Sequence, residues 1–444
     1  MADSNASRGI VWSWAFYDFA SSSFTTLVVT FVYATYFAQQ IAVDGTTGSE
    51  QWSLAITLSA LIVAVLSPYV GALADRGGYR KRFLAWATGL CVVFTAALYF
   101  PQSGDVLWAL GLFVIANVAF EVGYVFYNAF LPEIAASDRM GRVSGYGWGL
   151  GYIGGLLCLG VALVGFVMPE APWFGLTKEG GINVRATNFL VALWYALFAL
   201  PLFFVVPEPA KKSVPSAEKL FRSTNRQLRR TFRALRQDYR PIFRLLIARL
   251  VYNDGLITIF AFGGLYASVT FGFDTQAVII FGIGLNVAAG LGALGFGFVD
   301  DWLGGKTTIL ITLVGLSAAT LLAVFTTSIV LFWVAGLCVG LLAGPNQSAS
   351  RSLLGRFVPP SKENEFYGFF AFSGKATSFL GPLLFGWMTG WFDTQRAGVA
   401  VVLVFFLVGG LLLLTVDEQE GKTIARAGAD EEADEETASP DADR

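Results

Sequence analysis

The 444-residue sequence contains no histidine. That absence removes the usual metal ligand, general base and neutral-pH proton switch, so any proton handling falls to carboxylates, lysine or tyrosine. Cysteine is scarce too: Cys91, Cys158 and Cys338 each lie in an apolar run without CxxC spacing, which suggests neither a disulfide framework nor a zinc site. No metal and no cofactor are expected. Charged residues make up 14% of the chain against about 25% in soluble domains, and a soluble enzyme is excluded on that ground. What is abundant is apolar: 55% of the residues are hydrophobic.

A membrane span needs about 20 mostly apolar residues, and twelve such runs begin near positions 12, 53, 83, 106, 143, 187, 241, 276, 307, 328, 365 and 397. The expected fold class is an all-α membrane protein with twelve transmembrane helices. The first run contains Asp18, extends to about Gln40 and lacks an A-x-A cleavage site, so it reads as a retained helix rather than a signal peptide. Lys and Arg set the orientation. With the N-terminus inside, all but five of the 30 basic residues fall on the cytoplasmic side, Arg351 and Arg356 among them. The outer loops hold Lys178, Arg185 and Arg396, and Arg249 and Lys375 lie within spans. Both termini are expected in the cytoplasm.

Charge also divides the chain into segments. Residues 207–240 carry ten Lys/Arg and separate six runs from six. Leu220, Thr224, Leu228, Phe232 and Leu235 recur at helical spacing opposite Arg222, Arg226, Arg229, Arg233 and Arg236, the pattern of an amphipathic helix on an anionic lipid surface rather than a nucleic-acid partner. Residues 417–444 hold 11 Asp/Glu and no aromatic residue, and this acidic tail is expected to be disordered, with no apolar face to dock. The organisation is therefore an N-terminal six-helix bundle (1–206), a basic cytoplasmic linker (207–240), a C-terminal six-helix bundle (241–416) and the tail. The bundles read as pseudo-repeats. Tyr33-Ala34-Thr35 matches Tyr266-Ala267-Ser268, Gly71 and Asp75 match Gly297 and Asp301, and Gly145 and Gly151 match Gly368 and Gly374. Parallel repeats of this kind occur in transporters whose substrate site lies between the halves.

Gly71 to Arg82, GALADRGGYRKR, has a degenerate copy beginning at Gly297, GFVDDWLGGK. Gly71 permits close helix approach, Asp75 can accept from N–H groups at a neighbouring helix N-terminus, and Arg76 and its basic neighbours hold the loop at the inner surface. Gly71, Asp75, Arg76 and Asp301 are thus candidate gating residues. The first copy resembles the signature loop of the major facilitator superfamily. VWSWAFYDFASSSFTT (Val11 to Thr26), VFYNAFLPEIA (Val125 to Ala135), ARLVYNDG (Ala248 to Gly255) and the stretch from Gly344 to Gly386 resemble its branch related to the vacuolar amino-acid effluxer of autophagy. The resemblance implies a twelve-helix facilitator fold, with helices one, four, seven and ten around the cavity, and export of small solutes such as neutral amino acids.

Two other motifs lead elsewhere. Gly290-x-Gly292-x-x-Gly295 fits a dinucleotide fingerprint but lies inside an apolar run with no strand before it, where close helix packing is the better reading. Gly305-Lys306-Thr307 lacks the first glycine of a P-loop, since Asp300 stands there, and ATP-driven transport has no support.

Charges inside spans are costly and face the bundle interior or a water-filled cavity. Asp18, Glu121, Arg249, Asp254 and Lys375 are of this kind. At about 100° per residue, Asn117, Glu121, Tyr124 and Asn128 fall on one stripe, and Asp18, Ser22, Thr25, Tyr33 and Tyr36 on another. Asp18, Tyr33, Asn117, Glu121, Tyr124, Asn128, Asp254 and Lys375 are the candidates for substrate or proton binding. Glu121 leads as proton carrier or amine ligand. Lys375 is either a carboxylate ligand or half of a pair with Asp18 or Glu121, and Arg249 stays open between substrate ligand, snorkelling and structural pairing. The expected protein is a secondary transporter, not an enzyme: a monomer in a prokaryotic inner membrane, exporting a small polar or zwitterionic solute such as an amino acid, with possible proton coupling. The alternatives are a sugar or organic-cation transporter, or a non-transporting receptor or scaffold.

Overall fold

The computed structural model describes residues 7–77, 79–208 and 230–438. Inside lipid every backbone polar group must be satisfied within its own segment, which favours helices, and no strand occurs among the described residues. Omitting short turns, the helices are α1 (Arg8–Ser23), α2 (Gly45–Gly77), α3 (Arg80–Ala97), α4 (Val106–Ala129), α5 (Met140–Ala162), α6 (Ile182–Val205) and α7 (Arg240–Phe271). There follow α8 (Thr275–Leu303), α9 (Gly305–Phe325), α10 (Ile329–Gly355), α11 (Glu363–Lys375), α12 (Leu380–Phe392), α13 (Gln395–Leu414) and α14 (Glu418–Ala438). Ten helices among the described residues are long and apolar enough to cross a membrane. The run near position 83 becomes α3, whose first turn holds Arg80, Lys81 and Arg82. The run near 365 is divided into α11 and α12 by a turn over residues 376–379. Pro382 accounts for the break: it has no N–H for the carbonyl of Ser378, but is harmless in the first turn of α12.

One buried apolar cluster is built between Trp14 and Val206. Two others draw on residues 235–416 and 266–399, with Val125 and Ala129 joining from α4. The first and second halves of the chain thus have separate cores. Between them α2 lies along α11, and α5 along α8. Within the second half, a Cβ on Gly292 of α8 would overlap the Leu341 carbonyl of α10, so the central glycine of the fingerprint-like motif serves helix packing, whereas Gly295 has no neighbour that a Cβ would meet.

Helix α1 continues through a π-helical stretch, Phe24–Phe31, before Tyr33–Tyr36 and Phe37–Ile41. Thr25, Thr26, Val28, Val29 and Thr30 crowd this stretch with β-branched side chains, and the Thr30 hydroxyl donates to the Thr25 carbonyl at 2.9 Å. A wider turn changes the angular advance per residue. The stripe through Asp18 and Ser22 consequently does not continue in phase to Tyr33 and Tyr36.

One expectation for the charged segments changes. Most of the basic linker, residues 209–229, lies outside the described residues; residues 230–237 are helical, with Thr231 and Leu235 buried and Phe232 54% exposed. The acidic tail is not structureless, because α14 forms and docks. Asp417 caps it, accepting from the Gln419 and Glu420 N–H groups at 2.9 and 3.0 Å, and the Glu420 contact holds the Asp417 carboxyl below its usual range. Glu418 pairs with Lys422 at 2.8 Å and accepts from the Lys306 N–H at 3.0 Å. Gly421 faces the Phe357 ring, and Gly428 faces Pro359. Ala- and Glu-rich composition favours helix, and these two glycines supply a docking face made of backbone, which a search for large apolar side chains passes over.

Leucine at Gly421 would overlap Phe357, and overpacking costs about 1–3 kcal/mol, a 5- to 150-fold shift in a docking equilibrium. Gly421→Leu is therefore expected to speed tryptic cleavage at Lys422 and Arg426 at least fivefold without altering the thermal stability of the rest.

Candidate functional site

At one end of the bundle the two repeated loops reach across to the opposite half. Asp75, at the end of α2, accepts from the backbone N–H groups of Asn364 and Glu365 at 3.0 and 2.8 Å and from the Asn364 amide at 2.7 Å. These are first-turn groups of α11, which have no intrahelical acceptor and lie at the positive end of the helix dipole. One turn earlier, a Cβ at Gly71 would overlap the Asn364 carbonyl, so only glycine lets the two helices come this close. Arg80 fastens the same corner, bonding Glu133 at 2.8 Å and Glu363 at 2.6 Å. The second loop makes the matching contact in reverse. Asp301, at the end of α8, accepts from the N–H groups of Gly141 and Arg142 at 2.7 and 3.2 Å, the first turn of α5. Its carboxylate also takes Arg142 Nε at 2.6 Å, and Asp300 pairs with Arg356 at 2.6 Å. Gly71, Asp75 and Asp301 thus meet the opposite half; the Arg76 side chain lies outside the described residues.

Deeper in the bundle, Asp18 of α1 is 1% exposed and pairs with Arg351 of α10 at 3.2 Å. The Tyr124 hydroxyl donates to one Asp18 oxygen at 2.6 Å, and the Tyr127 hydroxyl to the other at 2.8 Å. Arg351 also donates to Asn128 Oδ1 at 3.1 Å, to Ser144 Oγ at 2.9 Å and to the Ser144 carbonyl at 2.6 Å. Charge counting assigns Arg351 to the cytoplasmic side; its side chain is 1% exposed, four residues before the end of α10.

A second pair also crosses between halves. Lys375, the last residue of α11, lies 2.6 Å from Glu121 of α4, and the two side chains are 30% and 19% exposed. Arg249 is tied within its own half: it donates to the Phe370 carbonyl at 2.7 Å and to Ser373 Oγ at 2.9 Å, and lies over the Phe370 ring at 3.6 Å. Those contacts favour the structural alternative for Arg249. Asp254 is 2% exposed and accepts from the Thr377 hydroxyl, in the break between α11 and α12, at 3.3 Å.

A cavity of about 700 Å³ lies between the halves. Along the first span it is lined from Asp18 through Ser22, Thr25, Thr26 and Thr30 to Ala34, away from the end that carries the two loops. Tyr124, Trp148, Tyr152, Asn286 and Gln347 add further polar and aromatic groups to its wall. Of the eight candidates for substrate or proton binding, Asp18 and Tyr124 line this cavity, whereas Glu121, Asn128, Asp254, Lys375, Tyr33 and Asn117 do not. Tyr33 is 1% exposed beside Tyr36 and Trp52, rotated off the cavity by the π-helical stretch. Asn117 is buried in α4 and does not line this cavity, as helical phase alone cannot tell a cavity face from a helix-packing face.

The vacuole effluxer Atg22-like family model matches residues 52–426. The chain belongs to that family. This Atg22-like chain has the multi-pass membrane transporter fold of solved major facilitator superfamily proteins. It is 27% identical to the uncharacterised MFS-type transporter YxiO of Bacillus subtilis, over 93% of this chain and 96% of that one. It is 25% identical to autophagy-related protein 22-1 of Penicillium rubens, over 84% and 76% respectively. Among solved structures, the proton:xylose symporter XylE superposes with a TM-score of 0.73 at 13% identity, covering 94% and 97% of the two chains. A bacterial ferroportin homologue in its outward-facing state gives 0.67 at 12% identity, covering 91% and 98%.

The two cross-half pairs of the Atg22-like chain differ in burial, and their energetics should differ with it. Removing one partner of a buried pair costs about 3–5 kcal/mol, whereas a partly exposed pair contributes about 1 kcal/mol or less. In thermal unfolding of the purified protein, Asp18→Asn is expected to lower Tm clearly more than Glu121→Gln. Equal losses would mean that Glu121 and Lys375 form a structural pair of the same weight.

Proposed function

We propose that the chain is a secondary transporter working by alternating access, which exports a small polar or zwitterionic solute, an amino acid in the first instance, from a prokaryotic cell across its inner membrane. In this reading it acts as a monomer with twelve spans in two six-helix repeats, and both termini and the basic linker face the cytoplasm and its anionic lipids. The observation that carries the reading is the pairing of two reciprocal helix caps at one end with a cavity directed away from that end. Asp75 and Asp301 hold the halves together at the loop end, which the reading takes as the inner side, so that the cavity opens toward the outside. The family description as a vacuole effluxer supports the direction of transport.

Rocking the halves apart at the inner side breaks both caps, the Arg80 bridge, and the Asp18–Arg351 and Glu121–Lys375 pairs. A charge at a helix end contributes about 0.3–2 kcal/mol, so each cap is strong enough to hold a conformer and weak enough to release it. Glu121 and Lys375 separate in the same motion, and a carboxylate freed from its lysine is then available to a proton. Proton coupling is accordingly assigned to the exchange of the Lys375 partner for a proton at Glu121.

Purified protein in proteoliposomes with labelled neutral amino acids tests the reading; absence of flux and of exchange for every solute class offered would leave the receptor or scaffold alternative standing. Asp75→Asn is expected to slow cycling several-fold with little change in solute affinity, measured as exchange rate against equilibrium binding. Glu121→Gln cannot ionise, and is expected to abolish flux driven by a pH gradient while solute exchange survives. Gradient-driven flux that persists in Glu121→Gln removes Glu121 from coupling.

An organic-cation substrate is the second reading. It is favoured by one observation: Asp18 is the charged residue among those lining the cavity, and the rest of its wall is hydroxyl, amide, aromatic or aliphatic.

A further inference from the structure

Arg351 belongs to α10 in the second half, yet its guanidinium is held by the first half. Its hydrogen-bonding partners are Asp18 from α1, Asn128 from α4 and Ser144 from α5. Three rings enclose it: Trp14 at 4.9 Å, Tyr127 at 5.7 Å and Trp148 at 5.7 Å. Gly147 leaves the room, since a Cβ there would lie 2.6 Å from Asp18 and 2.8 Å from an Arg351 nitrogen. Trp14 itself is fixed by its indole N–H, which donates to the Tyr127 carbonyl at 3.0 Å, and its ring stacks on Tyr127 at 4.6 Å. The Asp18 carboxylate is oriented by two phenols as well as by its cation. The arrangement is a socket built by three helices of one half, with acceptors on one side and aromatic faces on the others, filled by a side chain of the other half.

We propose that this socket is a binding site for a hydrogen-bonding organic cation, an ammonium or guanidinium group of the solute, and that Arg351 is its resident occupant in the conformer of this structure. The proposal rests on the alternating-access reading and adds the chemistry of the group recognised. When α10 withdraws with its half, Asp18 loses its cation in a setting of three aromatic rings. An unpaired carboxylate there is costly, and the electron-rich faces of Trp14, Tyr127 and Trp148 attract a cation in its place. Asp18 and Trp148 also line the cavity, so a solute there already touches the wall of the socket. Arg351 and the solute cation therefore take turns in one site. The socket is filled in both conformers, and the carrier avoids crossing with a bare buried charge.

The test is a titration of the purified protein with methylguanidinium chloride, against equal concentrations of sodium chloride. In Arg351→Ala the socket is vacated, and methylguanidinium is expected to raise Tm saturably by about 3 °C or more, with a saturable change in tryptophan emission from Trp14 and Trp148. Wild type, whose socket is filled, should bind at least tenfold more weakly. The double variant Asp18→Asn/Arg351→Ala should not respond. Equal responses in wild type and Arg351→Ala, or a response surviving in the double variant, would overturn the proposal. Should Arg351→Ala not yield folded protein, Arg351→Gln is titrated by the same criteria. The measurement needs no transported solute, so a protein that moves nothing in proteoliposomes defeats the transporter reading while the titration still decides the socket.

Discussion

A charge placed inside an apolar bundle has to be answered by a partner, and for the two acids Asp18 and Glu121 the answer comes across the boundary between halves. Asp18 is met by Arg351 and Glu121 by Lys375, in each case an acid of the first half with a base of the second. Had the partners come from the same half, each bundle would be electrically complete and the two could separate without consequence. Because they do not, separation of the halves and exposure of charge are one event. Water entering the opened side, a proton or a solute must then complete what the other half had supplied.

The two loop carboxylates extend the same logic to the membrane surface with helix dipoles in place of side-chain cations. Asp75 meets the first turn of α11 and Asp301 the first turn of α5, each contact running from one half to the other in opposite directions. The contacts are reciprocal, so neither half is merely the anchor of the other. Tail helix α14 touches the same region through a different route. Gly421 lies on Phe357 and Gly428 on Pro359, immediately after Arg356, which holds Asp300 and Asp301. Docking of the tail and closure of the loop end are therefore neighbours along the chain.

Much of this arrangement is legible in the amino-acid sequence. Apolar runs locate the helices, and the repeated Gly-Asp spacing points to Asp75 and Asp301 because a carboxylate at a helix start has a local physical meaning. The exceptions share a cause: each depends on a departure from regular helix geometry or on a partner distant in sequence. The π-helical stretch in the first span carries Tyr33 away from the cavity. Pro382 divides the eleventh run and sets Lys375 at a helix end. A count of basic residues places Arg351 near the end of its helix but carries no information on its partners Asp18, Asn128 and Ser144, which lie more than 200 residues away in sequence.

The unequal burial of the two pairs suggests a division of labour. Asp18 and Arg351 are sealed from solvent at 2% and 1% side-chain exposure, whereas Glu121 and Lys375 keep 19% and 30%. In the proposed carrier, the partly exposed Glu121 is the acid that a proton reaches when Lys375 withdraws, and the sealed Asp18 takes another cation when Arg351 withdraws. The two exchanges are joined because Arg351 and Lys375 leave with the same half. Coupling in such a carrier needs no wire between the sites, only that one rigid motion withdraws both bases at once.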